Sequence, residues 1–195
     1  MSVLNAKQFP QVRYLNAHAQ VSLAVETSGL SFAILEPTGF YSAFSEIWKM
    51  ARDNRGILFG DGQARSNPIH EEDLAQVCVD AIESRESAVI PAGGPFAHTR
   101  REALEMAFQS MGKPPKITSV PLWIPGAASS AMKWFAPRVG DLMQFLQVLS
   151  ANDSIAPRKG FQNTRRLLQD LAEAVTPAAS YAGSKISCLH GKGSL

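Results

Sequence analysis

The sequence has few cysteines and little net charge. Its 195 residues contain two cysteines, Cys78 and Cys188, which lie far apart and form no Cys-x-x-Cys motif. This spacing favours neither a disulfide framework nor a metal site. The formal net charge is +2, and the basic residues are dispersed apart from two Arg-Arg pairs. We therefore do not expect nucleic acid to be a partner.

The sequence also lacks long apolar runs and an obvious targeting signal. No run approaches the roughly 18 apolar residues that a membrane span requires, and the first residues contain no basic stretch followed by an apolar core. We therefore expect a cytoplasmic protein with no membrane partner. Hydrophobic residues make up 45% of the chain, which is enough for one globular domain with a sizeable core.

What the sequence does contain is an alternation of helix and strand signals. Leu30–Glu36 is an apolar run without helical periodicity, and Pro37 cannot continue a helix, so the run predicts a buried parallel strand. Tyr14–Thr27 before it predicts a helix that Ser28-Gly29 closes. The pattern predicts further strands over 57–59 and 87–92, and a loop with an edge strand over 113–120. It predicts further helices over 42–54, 74–82 and 100–111, apolar helices beyond Pro121, and a last helix that ends the segment 160–175.

Two helix starts carry specific signals. Thr99 and Glu102 predict a capping box at the helix that begins at Arg100, while acidic residues crowd the helix start after His70. We expect His70 to form structural hydrogen bonds there. We expect the three tryptophans, Trp48, Trp123 and Trp134, to pack in the core or under a lid. Residues 1–175 are predicted to form one domain, and residues 176–195 a flexible tail.

Four short motifs occur in a characteristic order. They are S-G-L-x-x-x-I-L-x-P-T-G-F from Ser28 to Phe40, I-H-x-x-D-L-A from Ile69, G-G-P-x-x-x-T from Gly93 and D-x-x-A-P-x-x-G from Asp153. Together they resemble the carboxyl-terminal half of atypical short-chain dehydrogenase/reductases, in the NmrA-like group. The resemblance implies an α/β fold with a partial Rossmann-like parallel sheet and a mostly helical substrate-side subdomain. It also implies NAD or NADP as cofactor, and oxidoreductase chemistry.

The sequence departs from that family in its phosphate-binding motif. Family members begin with a strand and a glycine-rich G-x-x-G-x-x-G turn, whose backbone amides approach the pyrophosphate. The 195 residues contain no such turn, and the close glycine pairs at 60–62 and 93–94 lack its spacing. We therefore expect a truncated member of the family in which dinucleotide binding is weak or absent.

The resemblance also suggests which residues form the site. Tyr14-x-x-x-His18 matches the spacing of the superfamily's Tyr-x-x-x-Lys pair, so Tyr14 and His18 are the catalytic candidates. A neutral imidazole replaces a fixed positive charge there, and the alternative is that both are surface residues. Glu36 stands where relatives have arginine, and we expect it to cap the next helix or to meet Arg65.

The loop after the predicted strand supplies the other candidates. Ligands bind at the carboxyl ends of parallel strands, and by resemblance this loop lies against the nicotinamide ring. The cofactor-binding candidates are Pro37, Thr38, Gly39 and Phe40, and the substrate candidates are Tyr41 and Phe44. The alternative is that the loop only closes the core.

Three functions remain open at this point. The first is an oxidoreductase with impaired dinucleotide binding, whose small-molecule substrate is unknown. The others are a non-catalytic regulatory or redox-sensing protein and an assembly subunit of a larger complex. A partial sheet would leave apolar surface uncovered, so we expect a homo-oligomer or a partner protein. The residues expected at such an interface are Phe44, Trp48, Trp134, Phe135 and Phe145.

Overall fold

A computed structural model describes residues 1–132 and 134–161 of the chain. The helix predicted over 160–175 and the tail predicted over 176–195 fall largely or wholly outside these residues. The helices of the described part are α1 Arg13–Glu26, α2 Phe44–Arg52, α3 Glu71–Ser84, α4 Arg100–Ser110, α5 Trp123–Met132 and α6 Pro137–Ala151. Its strands are β1 Ala33–Pro37, β2 Gly56–Phe59, β3 Arg65–Ser66, β4 Ala88–Ala92, β5 His98–Thr99 and β6 Ile117–Val120.

The strands pair in twos, and most of the pairing is parallel. β1 pairs with β4 and β2 pairs with β6, both in parallel, while the short strands β3 and β5 pair antiparallel. Residues 2–4 extend β1 on its other side, because the N–H groups of Ser2 and Leu4 donate to the carbonyls of Leu35 and Pro37. The α/β class predicted from the sequence is confirmed, with separate two-stranded pairs in place of one continuous sheet.

Three apolar clusters hold these elements together. The first joins α2 to α4 and β2, with Phe44, Trp48 and Phe108 at its centre. The second packs α3 against β1 and β4. The third joins α1 to α6 and to the start of the chain through Val12 and Leu15. The third cluster matters most for function, because it fixes the distance between α1 and α6.

The aromatic residues predicted at an outer interface do not all lie at the surface. Phe44 and Trp48 are 5% and 7% exposed, so they pack in the first cluster and not on the outer surface predicted for them. Trp134 and Phe135 are 88% and 92% exposed. The prediction that the tryptophans pack in the core or under a lid is therefore wrong for Trp134. It is also wrong for Trp123, which is 70% exposed at the start of α5, a helix whose main contact is with α6.

The predicted helix starts are present. The Thr99 hydroxyl accepts a hydrogen bond from the Glu102 N–H, and the Glu102 carboxylate accepts one from the Thr99 N–H, which completes the capping box. His70 caps α3, since its Nδ1 accepts the N–H of Glu72 at 3.2 Å. His70 therefore has the structural role expected of it. Across the described ranges, no helix is both long enough and apolar enough to cross a membrane.

Candidate functional site

A cavity of about 420 Å³ lies at the carboxyl end of β1. Its inner wall is the loop 37–40 together with residues 1–5. Its outer wall consists of side chains from α1 and α6, namely Tyr14, Leu15, His18, Phe145, Val148 and Leu149. The structure therefore gathers six of the eight predicted site residues around one space: Tyr14, His18, Pro37, Thr38, Gly39 and Phe40.

Hydrogen bonds to neighbouring backbone fix the loop of the inner wall. The Thr38 N–H donates to the Ala92 carbonyl at 3.1 Å, and the Thr38 hydroxyl donates to the Asn67 carbonyl at 2.6 Å. Gly39 accepts from the Ile69 N–H at 2.9 Å. The φ of Gly39 is +154°, which residues with a side chain rarely adopt. Pro37 ends the strand and Gly39 turns the chain, so the loop has one conformation.

Asn67 is the centre of this network, and sequence reasoning did not identify it. Its side chain is buried and donates to the carbonyls of Gly94 and Ala156 at 3.1 and 2.8 Å. Its Oδ1 accepts from the Ala156 N–H at 3.0 Å. The donor, the acceptors and Thr38 come from four separate segments of the chain. Asn67 therefore joins the loop of the site to segments that follow it by 27 and 89 residues.

The sequence motifs meet around Asn67, and their contacts there explain why they contain glycine and aspartate at fixed positions. A side chain on Gly93 would overlap the Asn67 amide, and one on Gly94 would overlap the Pro68 carbonyl. Asp153 accepts the Arg65 N–H at 2.8 Å. These contacts dock the chain after α6 against the loop, so the motifs serve mainly to hold the inner wall in place.

Tyr14 and His18 lie side by side on the first turns of α1. Their ring centroids are 4.8 Å apart with the rings nearly edge to face, as expected for residues four positions apart on a helix. The Tyr14 ring also contacts Phe145 of α6, with centroids 5.2 Å apart. Tyr14 lines the cavity and is 49% exposed, so the residue borders both the cavity and solvent. A phenol next to an imidazole at a cavity mouth is able to donate and relay a proton.

The two predicted substrate residues lie behind the loop. Tyr41 is 2% exposed, and its ring contacts His70 and Phe44 with centroids 5.6 and 5.8 Å apart. Both Tyr41 and Phe44 belong to the first apolar cluster, and neither lines the cavity. A direct contact of either residue with substrate stays a prediction from the family resemblance.

Sequence reasoning also missed the wall formed by α6. Phe145, Val148 and Leu149 are spaced three and four residues apart, which places them on one helical face toward the cavity. That spacing predicts a buried face, but not which other element it packs against. The spacing of these three residues therefore predicts the helix, but it does not predict that the helix forms a wall of the site.

Glu36 is not paired with Arg65. Its electrostatic neighbours are Lys7 and Glu26, which also form a salt bridge of 2.8 Å with each other. Burial raises the pKa of the Glu36 carboxyl above its ordinary value, Glu26 raises it further, and Lys7 opposes the shift. Arg65 instead uses its backbone N–H to bind Asp153. Within residues 1–132 and 134–161 no group of three acidic, histidine or cysteine side chains is placed to hold a metal ion.

Comparison with curated proteins finds relatives of one kind. No family model matches the chain. The chain is 32% identical over 130 residues to the chloroplastic divinyl chlorophyllide a 8-vinyl-reductase of Cucumis sativus, and 32% identical over 129 residues to that of Arabidopsis thaliana. These matches cover 63% and 62% of the chain and 31% of each relative. The matched region is thus about a third of the curated relatives' length.

Comparison with solved structures identifies the fold. The UDP-glucose 4-epimerase of Thermus thermophilus, solved in complex with NAD, superposes with a TM-score of 0.56 at 18% identity, over 83% of the chain and 54% of the epimerase. The UDP-glucuronic acid 4-epimerase of Bacillus cereus, also in complex with NAD, gives 0.52 at 14% identity, over 83% of the chain and 51% of the epimerase. The similarity extends over about half of each neighbour.

Both comparisons agree with the family resemblance that the motifs carry. The curated relatives are reductases, and the solved neighbours are epimerases with bound NAD. A cytoplasmic location stays a prediction, because the names of the relatives place those proteins in the chloroplast. The chain has the Rossmann-like fold of the NAD-binding epimerases and resembles part of an atypical short-chain dehydrogenase/reductase.

Proposed function

We propose that the chain forms the substrate side of a nicotinamide-dependent reductase of the NmrA-like branch, which reduces a carbon–carbon double bond on an apolar ring compound. The observation that carries the proposal is the cavity in which Tyr14 and His18 share one space with the loop 37–40. The names of the curated relatives, which are vinyl reductases, support the choice of an alkene. The NAD bound to two structural neighbours supports the choice of cofactor.

The residues of the cavity fit the nicotinamide end of such a cofactor. Gly39 has no side chain, so a flat ring can approach the loop closely. The Phe40 N–H pairs with no acceptor among the residues that the structure describes, and it is therefore available to a ligand carbonyl. Pro37, Thr38, Gly39 and Phe40 would hold the ring, which supplies a hydride when the cofactor is bound.

Tyr14 is the proton donor in this proposal. Reduction of a double bond adds a hydride to one carbon and a proton to the other, so a positioned acid is needed. The Tyr14 hydroxyl donates that proton and recovers one through His18 or from solvent at the cavity mouth. The apolar face of α6 excludes water from the substrate ring.

We infer that these 195 residues bind the dinucleotide weakly, because they contain no glycine-rich pyrophosphate turn. If only the nicotinamide half is recognised, the adenosine half adds no binding free energy. Reduced nicotinamide mononucleotide and NADPH should then have equal affinities in a fluorescence titration of the full chain. An affinity for NADPH more than about tenfold greater would show that a phosphate site exists and would contradict this inference.

Turnover tests the assignment of Tyr14. The chain is incubated with divinyl chlorophyllide a, the substrate in the names of its relatives, and millimolar NADPH, and the products are separated by chromatography. Tyr14→Phe keeps the ring contacts with His18 and Phe145 and should lower turnover by about 100-fold. Arg55→Gln, an exposed substitution outside the cavity, is the control and should leave turnover unchanged. Equal turnover by Tyr14→Phe and wild type would refute the role of Tyr14.

A regulatory or redox-sensing protein is the second candidate. His18 favours it, because an imidazole stands where the superfamily has a lysine beside its catalytic tyrosine. This alternative expects nicotinamide binding without turnover, and His18→Lys would not create activity. The reductase proposal expects His18→Lys to retain or increase turnover.

We also propose a homodimer or a partner protein that covers Trp123, Trp134 and Phe135. Their exposed fractions of 70%, 88% and 92% support a contact at α5 and at the turn that precedes α6. Light scattering of the purified chain measures its mass in solution. A monomer that neither aggregates nor binds another protein would contradict this proposal, as it would the role of an assembly subunit.

A further inference from the structure

A second depression adjoins the cavity, and Tyr14 and Phe145 line both. It encloses about 460 Å³ between the start of α1 and the first half of α6. Its remaining lining residues are Arg13, Arg138, Asp141 and Leu142. A ligand whose ring fills the apolar cavity can therefore extend past the Tyr14–Phe145 contact into a polar space.

The depression has more positive than negative charge. Two arginines line it, Arg13 and Arg138, and Asp141 is the only acidic residue among the lining residues that the structure describes. Arg13 Nη1 lies 3.4 Å from Asp141 Oδ2, whereas Arg138 forms no ion pair with any residue of the described ranges. Counted over the described residues, the lining of the depression therefore carries one more positive than negative charge, next to an apolar cavity.

The pairing of Arg13 with Asp141 is weak enough to give way to a ligand. The Arg13 side chain is 75% exposed, and exposed ion pairs contribute little to stability because water and salt screen them. A guanidinium group presents a planar pair of N–H donors that matches a carboxylate in a bidentate geometry. Arg13 can therefore leave Asp141 for an incoming carboxylate at small cost, in a depression that Arg138 also lines.

We propose that Arg13 and Arg138 bind a carboxylate on the edge of the substrate, so that the site selects the free acid over its ester. This inference rests on the proposed function for the position of the ring, and it adds a specificity site. The apolar ring lies in the cavity beside Tyr14, and the acidic arm crosses Phe145 into the depression. Asp141 opposes the ligand, because it competes for Arg13 and repels a second carboxylate.

Protoporphyrin IX and its dimethyl ester test the site as a matched pair of ligands. They share one apolar ring with vinyl groups and differ only in ionisable carboxylates, and both are titrated into the full chain by fluorescence in the same low detergent concentration. Wild type should bind the acid about tenfold more tightly than the ester. The double variant Arg13→Gln/Arg138→Gln should lose this preference and keep its affinity for the ester. Arg55→Gln, outside both cavities, should retain the preference.

Asp141→Asn distinguishes arginines that bind a carboxylate from arginines that only support the structure. It releases Arg13 and removes the repelling charge, so the affinity for the acid should rise by about threefold while that for the ester stays constant. Equal binding of acid and ester by wild type, an unchanged preference in the double arginine variant, or no binding of either compound would overturn the inference. An arginine-dependent preference without turnover of an alkene would leave the carboxylate site standing and refute the reductase.

Discussion

The two walls of the cavity are built in different ways. The inner wall is the loop 37–40, which is held by the Asn67 network behind it and by hydrogen bonds to buried backbone that Thr38 donates and Gly39 accepts. The outer wall consists of side chains on α1 and α6 that meet through ring and aliphatic contacts. Hydrogen bonds fix the backbone of the inner wall to one conformation, whereas apolar contacts allow the outer wall to repack.

This difference suggests that the two walls have different functions. The inner wall faces the part of a ligand that has the same shape in every related enzyme, which we propose to be the nicotinamide ring. The outer wall faces the substrate, whose shape differs between enzymes. Substitutions in the inner wall should therefore reduce stability strongly, while those in the outer wall should mainly change ligand preference.

The largest effect is expected for Gly94→Ala. The new Cβ would overlap the Pro68 carbonyl oxygen, which belongs to the backbone and cannot rotate away. The free energy of unfolding, measured in urea, should fall by about 4 kcal/mol, as for severe overpacking. Gly29→Ala is the control, because a Cβ there meets no atom within 4 Å and only the φ of +75° opposes it. That variant should lose about 1 kcal/mol, and equal losses in both variants would show that the approach at Gly94 is not tight.

Asn67→Ala should reduce stability by about 3 kcal/mol. The substitution leaves two carbonyls and one N–H of the neighbouring segments buried without partners. Asn16→Ala, on α1, should change stability by less than about 0.5 kcal/mol. Urea unfolding of both variants gives the comparison. A loss below about 1 kcal/mol for Asn67→Ala would mean that water replaces the amide and that the inner wall is not held as described.

Phe145→Ala should act mainly on binding. Phe145 is only partly buried, so we expect a loss of stability of about 1–2 kcal/mol, less than for a fully buried phenylalanine. It is also a contact of Tyr14 in the outer wall, so the affinity for protoporphyrin IX dimethyl ester should fall by about tenfold. Phe96→Ala, which lies outside the cavity, should leave that affinity unchanged. An unchanged affinity in Phe145→Ala would show that the ring does not lie against α6.

The smallest effect is expected for Glu36→Gln, and it depends on pH. Burial raises the pKa of Glu36, so the folded state disfavours the ionised carboxylate. The resulting penalty is present above the folded pKa and disappears as the pH falls below the ordinary value of 4.5. Glu36→Gln should therefore stabilise the chain by about 0.5 kcal/mol or less near pH 8, and not at all at acidic pH.

Thermal unfolding across pH measures this difference. Glu86→Gln, at an exposed position, is the control: its melting temperature relative to wild type should be the same at pH 4 and at pH 8. Destabilisation of Glu36→Gln near pH 8 would mean that the attraction to Lys7 outweighs the cost of burial. The strand that leads into the inner wall would then contain a favourable charge that the structure does not indicate.

Local signals predicted the inner wall well. Pro37 and Gly39 marked the end of a strand and a turn, and the observed strand Ala33–Pro37 differs from the prediction only in starting three residues later and including the proline. The capping box at Thr99 was also local, because its two residues are three positions apart. Such features depend on neighbours in sequence, so their residues alone are sufficient to predict them.

The remaining features depend on contacts between distant segments. Nothing near Asn67 in the sequence reveals that its amide binds Ala156, 89 residues later. The same is true of α6, whose apolar face could have packed on any helix and in fact contacts α1. Tyr41 and Phe44 show the opposite case. They directly follow the loop of the site in sequence, but their side chains pack in the core. The depression that Arg13 and Arg138 line could not be predicted either, because these two arginines belong to α1 and α6, which are far apart in the sequence.

The position of Met1 at the cavity affects how protein for ligand titrations should be prepared. Met1 lines the cavity and is 69% exposed, and residues 2–4 lie along β1 directly behind it. Any residues joined to Met1, whether a purification tag or further protein, would begin at this cavity and would compete there with the ligand that we propose. Protein prepared for titration should therefore carry its tag elsewhere or have it removed.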